Sequence, residues 1–490
     1  MNGRRHDFAD HRRGRVALRR RNLVTNVGCG DNILMNEPFD LLITNGLVVA
    51  DGKITRADIG IRGEKIAFVG NPVTRHPSPV TINASGKYIF PGLVDAHVHP
   101  IYVDDKYDTS VSAAFGGVTT LIHYAYVKPG QSLVPSLQSF RDDGLQTSVL
   151  DFGIHAGLFD VANQIADVPA AFPFGVTSFK VFMTYAKLKW MTDDYWMAAL
   201  MDVVAQERGL VNVHCENGVV TDYLEDKFNR AGLDSKKMFT AMRPALLEAE
   251  ATNRAISIAH VMGCAVYIVH NSAAENLEPL RRAKQNGWRV VGETCPQYLT
   301  LTDETTQTLA AQAKIGPPLR YAHDNAALWQ GLREGILTTI GSDHAPKAKK
   351  MDDDFFDAAY GAPQIETMLP MCYYVGVNEG KLGRHEALPL LIAALSETPA
   401  KTYGLYPRKG AIQVGSDADL VIFDPAKTWT ISNSNQHSKA GFTLYEGRTV
   451  TGVVDLTMQR GRVIVEHGAL RREKGNAQFL KTDTSHFYAL

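Results

Sequence analysis

The chain has 490 residues, 45% of them hydrophobic and 21% charged, which is the composition of a globular protein with more than one domain. A formal net charge of −1 gives no electrostatic basis for binding nucleic acid or an anionic membrane, so neither partner is predicted. No uninterrupted apolar run reaches the roughly 18 residues that a membrane span requires. The five cysteines are few, odd in number and contain no CxxC pair, which favours reduced thiols and a cytoplasmic protein.

Residues 1–37 form a basic N-terminal extension that we predict to be disordered. Eight arginines crowd its first 21 residues, among few apolar side chains. One interpretation is an organellar transit peptide, which is rich in arginine and poor in acidic residues. Asp7, Asp10 and a weak amphipathic pattern instead favour a disordered tail, or sequence upstream of a natural start at Met35.

Short apolar strands punctuated by glycine follow residue 38 and return near the C-terminus. Asn45-Gly46 lies between two apolar runs, a pattern that predicts a β-hairpin. Neither end of the chain has enough strands for a core of its own. We therefore predict that residues 38–92 and 406–470 form one β-sandwich domain together, followed by a C-terminal tail, 471–490, placed to contact a neighbouring subunit.

The stretch 93–405 alternates apolar strands with helical segments such as 194–208 and 248–262. Eight such β-α units predict a (β/α)8 barrel, a fold in which the chemistry takes place at the C-terminal ends of the strands. The predicted strands are 93–97, 118–123, 147–154, 176–183, 211–214, 265–270, 289–292 and 337–342.

Side chains of the metal-binding type end several of these strands. His97 and His99 close the first, and residues two apart on a strand point the same way, so both imidazoles project from one face. His214, His270 and Asp343 end the fifth, sixth and eighth strands. Each alone has an ordinary structural explanation, such as a hydrogen-bonded histidine or a helix cap. Together at one rim they predict a metal site, because neutral imidazole is the commonest protein ligand for metals.

Lys180 lies inside the apolar fourth strand, where a charged amine is costly unless it is paired or modified. A bare ammonium there would repel nearby cations. Conversion by CO2 to a carbamate would instead give an anionic oxygen ligand able to bridge two metal ions. His123 and His155 also end predicted strands, and we predict that both are structural residues and not metal ligands.

Two motifs contain these residues: Pro91-Gly92-x-x-Asp95-x-His97-x-His99 and Ser178-Phe179-Lys180-x-Phe182-Met183-x-Tyr185. On them the chain resembles the amidohydrolase superfamily, in its cyclic-amidase branch of D-hydantoinases and dihydropyrimidinases, over roughly residues 39–470. The second motif is the more specific to that branch. Further matches are Glu293-Thr294-Cys295-Pro296-Gln297-Tyr298-Leu299, Pro317-Pro318-Leu319-Arg320, Gly341-Ser342-Asp343-His344-Ala345-Pro346 and Gly361-Ala362-Pro363-x-Ile365-Glu366.

The resemblance implies a homotetrameric hydrolase with two divalent metal ions. Zinc is usual in the family, although the ligand set would also suit manganese or cobalt. One ion would be held by His97, His99 and Asp343 and the other by His214 and His270, with Lys180 as bridging N6-carboxylysine.

The resemblance also implies a mechanism. A hydroxide shared by the two metals would attack the carbonyl of a small cyclic amide, and Tyr185 would stabilise the oxyanion. Asp343 would carry the proton to the leaving nitrogen, which opens the ring to an N-carbamoyl amino acid. Gly316 and Tyr360 replace the serine and asparagine that are common in relatives, and would bind the ring amide largely through backbone groups.

Substrate specificity is predicted from loop residues. A wall that accepts an apolar or aromatic substituent is expected from Ile101, Tyr102, Val103, Trp190 and Met191. An allantoinase-, dihydroorotase- or imidase-like hydrolase is an alternative within the same chemistry, disfavoured because no dedicated arginine lies near the predicted pocket motifs. A non-catalytic scaffold like the collapsin response mediator proteins is the third possibility; those proteins lack several ligands, whereas all six positions are filled here.

Overall fold

The computed structural model describes residues 38–71 and 78–489, so the predicted disordered extension and the start at Met35 lie outside the described residues. Its first strands are β1 (Leu41–Ala50), β2 (Lys53–Arg62), β3 (Lys65–Gly70), β4 (Val80–Asn83) and β5 (Tyr88–Pro91).

The hairpin predicted at Asn45-Gly46 is wrong, because both residues lie inside β1. The register of β1 against β2 shifts between Ile43 and Gly46, and Asn45 has a φ of 65°. Its backbone N–H donates to Oδ1 of Asp58 at 2.9 Å. The Asn-Gly pair thus forms a β-bulge, which is the other structure that a positive φ inside a strand produces.

Eight parallel strands follow and pair in chain order from β6 to β13. A parallel bridge joins Val98 to His344, and the His99 N–H donates to the His344 carbonyl at 3.0 Å, which connects the two outermost strands. The predicted eight-stranded fold is confirmed. The strands are β6 (Leu93–Val98), β7 (Val118–Val127), β8 (Asp151–Leu158), β9 (Ser178–Phe182), β10 (Leu210–His214), β11 (Ala265–Ile268), β12 (Val290–Thr294) and β13 (Thr339–Ile340).

His123 and His155 do not end strands, contrary to the prediction. Strands β7 and β8 continue for several residues past them, because both faces of a parallel sheet are covered and the following residues are also buried. His155 is nonetheless a structural residue by its contacts. One ring nitrogen is hydrogen-bonded to the Ser178 hydroxyl at 2.6 Å, and the other lies 3.0 Å from the Ala96 carbonyl.

Helices follow each of the strands β6 to β13 and cover the outside of the sheet. The predicted helices 194–208 and 248–262 correspond to α5 and α8. No described helix is long and apolar enough to cross a membrane. The α-helices are α1 (Lys106–Phe115), α2 (Leu133–Thr147), α3 (Val161–Gln164), α4 (Val168–Phe174), α5 (Asp194–Gln206), α6 (Gly218–Arg230), α7 (Ser235–Met242), α8 (Ala245–Val261), α9 (Leu277–Gln285), α10 (Pro296–Thr300), α11 (Asp303–Leu309), α12 (Ala322–Arg333), α13 (Met368–Tyr373), α14 (Leu388–Ile392) and α15 (Thr398–Thr402).

The last strands are β14 (Leu420–Thr430), β15 (Thr449–Gln459), β16 (Arg462–Glu466) and β17 (Ala469–Leu470). They join the first strands in a nine-stranded sheet of order β17-β16-β15-β14-β5-β1-β2-β3, with β4 also paired to β1. The connection is the antiparallel pair of β5 and β14, in which Leu420 lies opposite Pro91. The strands at the two ends of the chain therefore form one β domain beside the barrel, as their short apolar runs predicted.

A buried lysine ties the barrel to the β domain. Lys409 is 1% exposed, and its ammonium lies 2.7 Å from Asp151, 2.8 Å from Asp419 and 3.0 Å from Asp417. Asp151 begins β8, whereas the other two carboxylates precede β14. Burial alone would lower the pKa of Lys409, but the three carboxylates outweigh it and raise the pKa, so the amine stays charged.

The C-terminal tail packs against its own barrel. The Leu480 N–H donates to the Phe152 carbonyl at 2.8 Å, and the Phe479 and Phe152 rings lie 5.9 Å apart. Thr482 also donates to the Gly175 carbonyl at 3.2 Å. A contact of this tail with a neighbouring subunit stays a prediction.

We expect Lys409→Met to destabilise the protein by about 3–5 kcal/mol, because it removes the buried cation that three carboxylates share. Asp151 keeps Arg460 at 3.2 Å and Asp417 keeps Lys65 at 2.6 Å, whereas the ion pair of Asp419 is lost. Urea and thermal unfolding of the purified chain measure the loss. The control is Lys427→Met, an exposed position in β14, which should change stability by less than about 0.5 kcal/mol. Equal stability of both variants would show that the lysine does not hold the junction together.

Candidate active site

A cavity of about 450 Å³ lies at the C-terminal ends of the barrel strands. The structure brings together at its walls every residue that the sequence predicted to bind metal or the ring amide. Those residues are His97, His99, Lys180, His214, His270 and Asp343 as predicted metal ligands, and Tyr185, Gly316 and Tyr360 as predicted substrate contacts.

The first group of ligands is His97, His99 and Asp343. Oδ1 of Asp343 lies 3.2 Å from Nε2 of His97 and 3.0 Å from Nε2 of His99. One potential ligand atom from each of the three falls within 4.8 Å of the others, a spacing that could hold one metal ion. The buried Asp95 fixes this arrangement, since its Oδ1 accepts hydrogen bonds from the backbone N–H groups of His97 and Ser342, both at 3.1 Å.

The second group is His214, the last residue of β10, and His270, two residues after β11. Nε2 of His270 lies 2.9 Å from Nδ1 of His214. The His270 ring centre is 5.4 Å from that of His97, so the two groups adjoin. Five potential ligands from four strands thus form one continuous cluster in the cavity.

The ring nitrogens that point away from this cluster have hydrogen-bonding partners. Such partners orient histidine ligands and select their tautomer in metal sites. The three pairs are His97 Nδ1 with Glu293 at 2.6 Å, His99 Nδ1 with the Tyr126 hydroxyl at 2.8 Å, and His214 Nε2 with Glu216 at 2.7 Å.

Glu293 is the most connected of these supporting residues, and the sequence analysis assigned it no role. Besides His97, it accepts hydrogen bonds from the His270 N–H at 2.9 Å and from the Tyr267 hydroxyl at 2.7 Å. A carboxylate inside the buried strand β12 was the available signal. No sequence pattern predicted a role for Tyr126 or Glu216, because only the fold brings these residues next to the histidines.

The electrostatics of the cluster favour a bound cation. Burial lowers the pKa of His97, but the charges of Glu293 and Asp343 outweigh it and raise the pKa to about 9. Burial would raise the pKa of Asp343, yet the charge of His97 holds it well below the usual range. Burial lowers the pKa of His99 to about 4. A metal ion that binds here would replace the proton on His97. Asp343 is already a carboxylate and His99 a neutral imidazole, which are the forms that coordinate metals.

Lys180 lies in the middle of β9 and is 1% exposed. Its ammonium makes no hydrogen bond with any described residue and lies over 5 Å from the nearest ring centres, those of Tyr124 at 5.2 Å and Phe182 at 5.3 Å. Burial is the main cause that lowers its pKa, to about 8. A buried, unpartnered amine is costly, so this position requires a neutralising partner or a modification.

Three site residues have left-handed backbone conformations that side chains rarely adopt. The φ angles are 65° at Tyr185, 38° at His270 and 51° at Asp343. Such conformations cost on the order of 1–3 kcal/mol each and persist only where the surrounding structure enforces them. Their concentration at one rim supports a functional role for this cavity.

Tyr185, Gly316 and Tyr360 line one side of the cavity. A Cβ atom at Gly316 would lie 2.9 Å from the Tyr185 hydroxyl and 3.1 Å from the Tyr360 ring. The glycine therefore keeps open the space next to the Tyr185 hydroxyl. The Tyr360 hydroxyl donates to Glu225 at 3.0 Å, which turns this side chain away from the metal ligands.

The predicted substituent wall is only partly correct. Tyr102 and Trp190 line the cavity, whereas Ile101, Val103 and Met191 are not among its described lining residues. Ile101 is 45% exposed instead. Loop direction, which decides such exposure, has no simple sequence pattern. The wall is nevertheless aromatic, with contributions from Tyr126, Phe182, Phe239 and Phe355.

The expectation that no arginine lies near the pocket is wrong, because Arg243 lines it. Its guanidinium lies 2.9 Å from Glu216 and 3.4 Å from Glu225, and 4.8 Å from the Tyr360 ring centre. The residue precedes α8 outside any motif, so no sequence pattern predicted its place in the cavity. Both carboxylates compensate its charge, which makes it a poor partner for an anionic substrate.

Comparisons with known proteins agree with this geometry. The Amidohydrolase family model matches residues 88–464. The chain is 36% identical over 459 residues to a D-hydantoinase from Ralstonia pickettii, covering 90% of this chain and 99% of the relative. It is 32% identical over 455 residues to an L-hydantoinase from Paenarthrobacter aurescens, covering 90% and 98%. The crystal structure of the dihydropyrimidinase from Brevibacillus agri NCHU1002 matches with a TM-score of 0.85 at 32% identity, covering 90% and 98% of the two chains. The chain belongs to the amidohydrolase family, in its branch of hydantoinases and dihydropyrimidinases.

Proposed function

We propose that this cyclic amidohydrolase opens the ring of a hydantoin or dihydropyrimidine and releases an N-carbamoyl amino acid. The observation that carries the proposal is the cluster of four histidines, Asp343 and the unpartnered Lys180 around one cavity. Relatives named D-hydantoinase, L-hydantoinase and dihydropyrimidinase match nearly the whole chain. Their names indicate the substrate class that the cavity would take.

The donor set fits two divalent cations, for which we propose zinc. His97, His99 and Asp343 would hold one and His214 and His270 the other. When bound, the two cations would supply an activated water nucleophile and polarise the substrate carbonyl. Lys180 would lie between them as N6-carboxylysine, formed when its neutral amine attacks CO2 and loses a proton. This modification gives the buried amine the anionic character that its position requires.

The protein's own groups would then position the substrate and move the proton. Asp343, ionised at neutral pH, would take the proton of the attacking water and deliver it to the ring nitrogen as the amide bond breaks. The Tyr185 hydroxyl would stabilise the developing oxyanion. The backbone at Gly316 and Tyr360, on the same side of the cavity, would bind the ring amide.

The contacts of the histidines favour a catalytic metal site over a non-catalytic scaffold. All six predicted ligands share one cavity, and the outward nitrogens of His97, His99 and His214 are held by partners. A scaffold would not need rings oriented in this way. The aromatic wall and the compensated charge of Arg243 favour hydantoins and dihydropyrimidines over allantoin-like rings.

We further propose a cytoplasmic homotetramer. Cys215, Cys264, Cys295 and Cys372 are all free, buried thiols, as a reducing compartment would leave them. Helices α5 and α8 contact each other and expose large apolar side chains, with Tyr195 at 73%, Leu246 at 70% and Val261 at 73% exposed. Such side chains supply apolar area that a subunit interface would bury.

The proposed reaction predicts turnover of hydantoins and dihydrouracil by metal-replete enzyme, with allantoin and cyclic imides as the comparison substrates. A chelator should abolish ring opening, and added zinc should restore it. Turnover of allantoin without any turnover of hydantoins would contradict the substrate class. Purified chain with neither bound metal nor ring-opening activity would favour the scaffold instead.

The proposed carbamate predicts that Lys180→Ala loses bound metal and lowers kcat by more than about a hundredfold, since even outer partners of metal ligands contribute 10- to 100-fold. Added propionate should restore part of both, because its carboxylate can occupy the space left by the side chain. Metal content per chain and the ring-opening rate are the measurements. Lys350→Ala, at an exposed position, should respond to neither change. A Lys180→Ala protein with full metal content would rule out the bridging role.

The proposed proton transfer predicts that Asp343→Asn lowers kcat by roughly 10²- to 10⁴-fold. Since Asp343 is also a proposed ligand, metal content has to be measured beside the rate. The matched control is Asp222→Asn, another carboxylate in the cavity that has no proposed role in the reaction. Near-normal turnover of Asp343→Asn with both metals bound would exclude this shuttle.

A further inference from the structure

Lys347 is a cation in the cavity that no part of the proposed reaction uses. It follows Asp343 by four residues on the loop after β13, is partly buried, and lines the cavity. Its ammonium lies over the ring of Tyr102. In the part of the chain that the structure describes, it makes no hydrogen bond and has no carboxylate within the 4.0 Å of an ion pair.

Two further lysines, Lys314 and Lys349, are also buried in this region. Lys314 lies on the Gly316 side of the cavity, with its ammonium 4.6 Å from the Tyr360 ring centre. Lys314 also lines the cavity, and its ammonium donates to the Phe356 carbonyl at 2.7 Å. Lys349 is 6% exposed and donates to the Lys314 carbonyl at 3.0 Å. Both amines thus bond to backbone oxygens, and neither has a carboxylate at ion-pair distance among the described residues.

Two other cations that line the cavity are paired with carboxylates, unlike Lys347. Lys187 lies 2.6 Å from Asp226, and Arg243 lies 2.9 Å from Glu216. Glu225 and Asp357 act on Lys314 from beyond ion-pair distance, whereas Lys347 has no charged group that raises its pKa. The charges of Asp343 and Glu293 also oppose the lowering of the Lys180 pKa. Among the described cations that line the cavity, Lys347 is therefore the one whose charge no carboxylate offsets.

Burial without a counter-charge is costly for an amine. Burial lowers the pKa of Lys347 to about 7, and burial together with the charges of Lys314 and Lys347 lowers that of Lys349 to about 7. An anion that enters the cavity would offset this cost and keep the amines charged. The Lys347 side chain is also close enough to the proposed metal ligands for one small substrate to contact both. It lies over Tyr102, whose ring centre is 6.3 Å from that of His99.

We propose that Lys347 is a subsite for a carboxylate at the end of the substrate's exocyclic substituent. The proposal rests on the proposed function and narrows its substrate class to cyclic amides with a short acidic side chain. The ring amide would lie toward Gly316 and Tyr360, and the apolar stem of the substituent would cross the aromatic wall. Its carboxylate would then reach Lys347 on the Tyr102 side of the cavity.

A matched pair of substrates tests this subsite: 5-(2-carboxyethyl)hydantoin and its amide, 5-(2-carbamoylethyl)hydantoin, which have nearly the same shape. With metal-replete wild-type enzyme, we expect kcat/KM for the acid to exceed that for the amide by about tenfold or more, the size of one hydrogen bond between charged groups. The preference should weaken as salt is added, because screening acts on the acid alone.

In Lys347→Met, the ratio of kcat/KM for acid over amide should fall by about 10- to 100-fold, with the change mainly in KM for the acid. Lys347→Arg keeps the charge and should hold the ratio within about threefold of wild type. Lys350→Met, an exposed position three residues further along the same loop, is the matched control and should not change the ratio.

Equal kcat/KM for the two hydantoins, or a ratio unaffected by Lys347→Met, would overturn the subsite and leave the ring-opening function standing. An equal loss for both substrates in Lys347→Met would also overturn it, because it would mean that the residue has only a structural role. If metal-replete enzyme opened neither hydantoin nor dihydrouracil, the proposed function itself would fail, and the subsite with it.

Discussion

Closure of the barrel between its first and eighth strands is the constraint on which the site depends. His99 and Asp343 are 244 residues apart in sequence, yet their side chains meet at 3.0 Å. Asp95 makes this possible, because one buried oxygen accepts a backbone N–H from each side of the seam. Burial raises the pKa of Asp95 to about 6 although these bonds oppose the rise, so the group remains a carboxylate at neutral pH. The two halves of the ligand set would separate without this seam.

The cluster inside the barrel combines opposite electrostatic demands in a small volume. Glu293 and Asp343 surround His97 with negative charge, while the Lys180 amine on β9 has no hydrogen-bond partner among the described residues. Without further groups, the carboxylates favour a protonated histidine and the amine favours neutrality. A pair of cations next to a carboxylated lysine would satisfy both demands at once. The uncompensated charges of the polypeptide alone therefore support the two cations and the carboxylated lysine that we propose.

The sequence predicted the residues whose role follows from local spacing. Two imidazoles two residues apart on a strand, and ligands that end parallel strands, meet because of strand periodicity and fold topology alone. The extents of β7 and β8 were predicted less well, because His123 and His155 were treated as ends of strands when buried polar side chains also occur within them. The Asn45-Gly46 pair was ambiguous for a related reason, since a turn and a bulge both use a positive φ.

Residues that act through a second residue were beyond prediction from one sequence. Tyr126 and Arg243 lie on different elements from the groups they contact, and no spacing connects them to those groups. Glu293 was visible as part of a motif, but its three hydrogen bonds appear only when β6, β11 and β12 are adjacent. Such contacts depend on the closed barrel and on loop paths, which local patterns do not specify.

A continuous series of polar contacts joins His214 to the side of the cavity where we propose that the substrate ring binds. It runs from His214 to Glu216 at 2.7 Å, to Arg243 at 2.9 Å, to Glu225 at 3.4 Å and to the Tyr360 hydroxyl at 3.0 Å. Opposite charges alternate from Glu216 to Arg243 to Glu225, so removing Arg243 would leave two carboxylates uncompensated. The position of Tyr360 is therefore coupled to the orientation of His214, a proposed metal ligand. Arg243 makes ion pairs with both Glu216 and Glu225 in this series, so its charge is already compensated and it is a poor partner for an anionic substrate group.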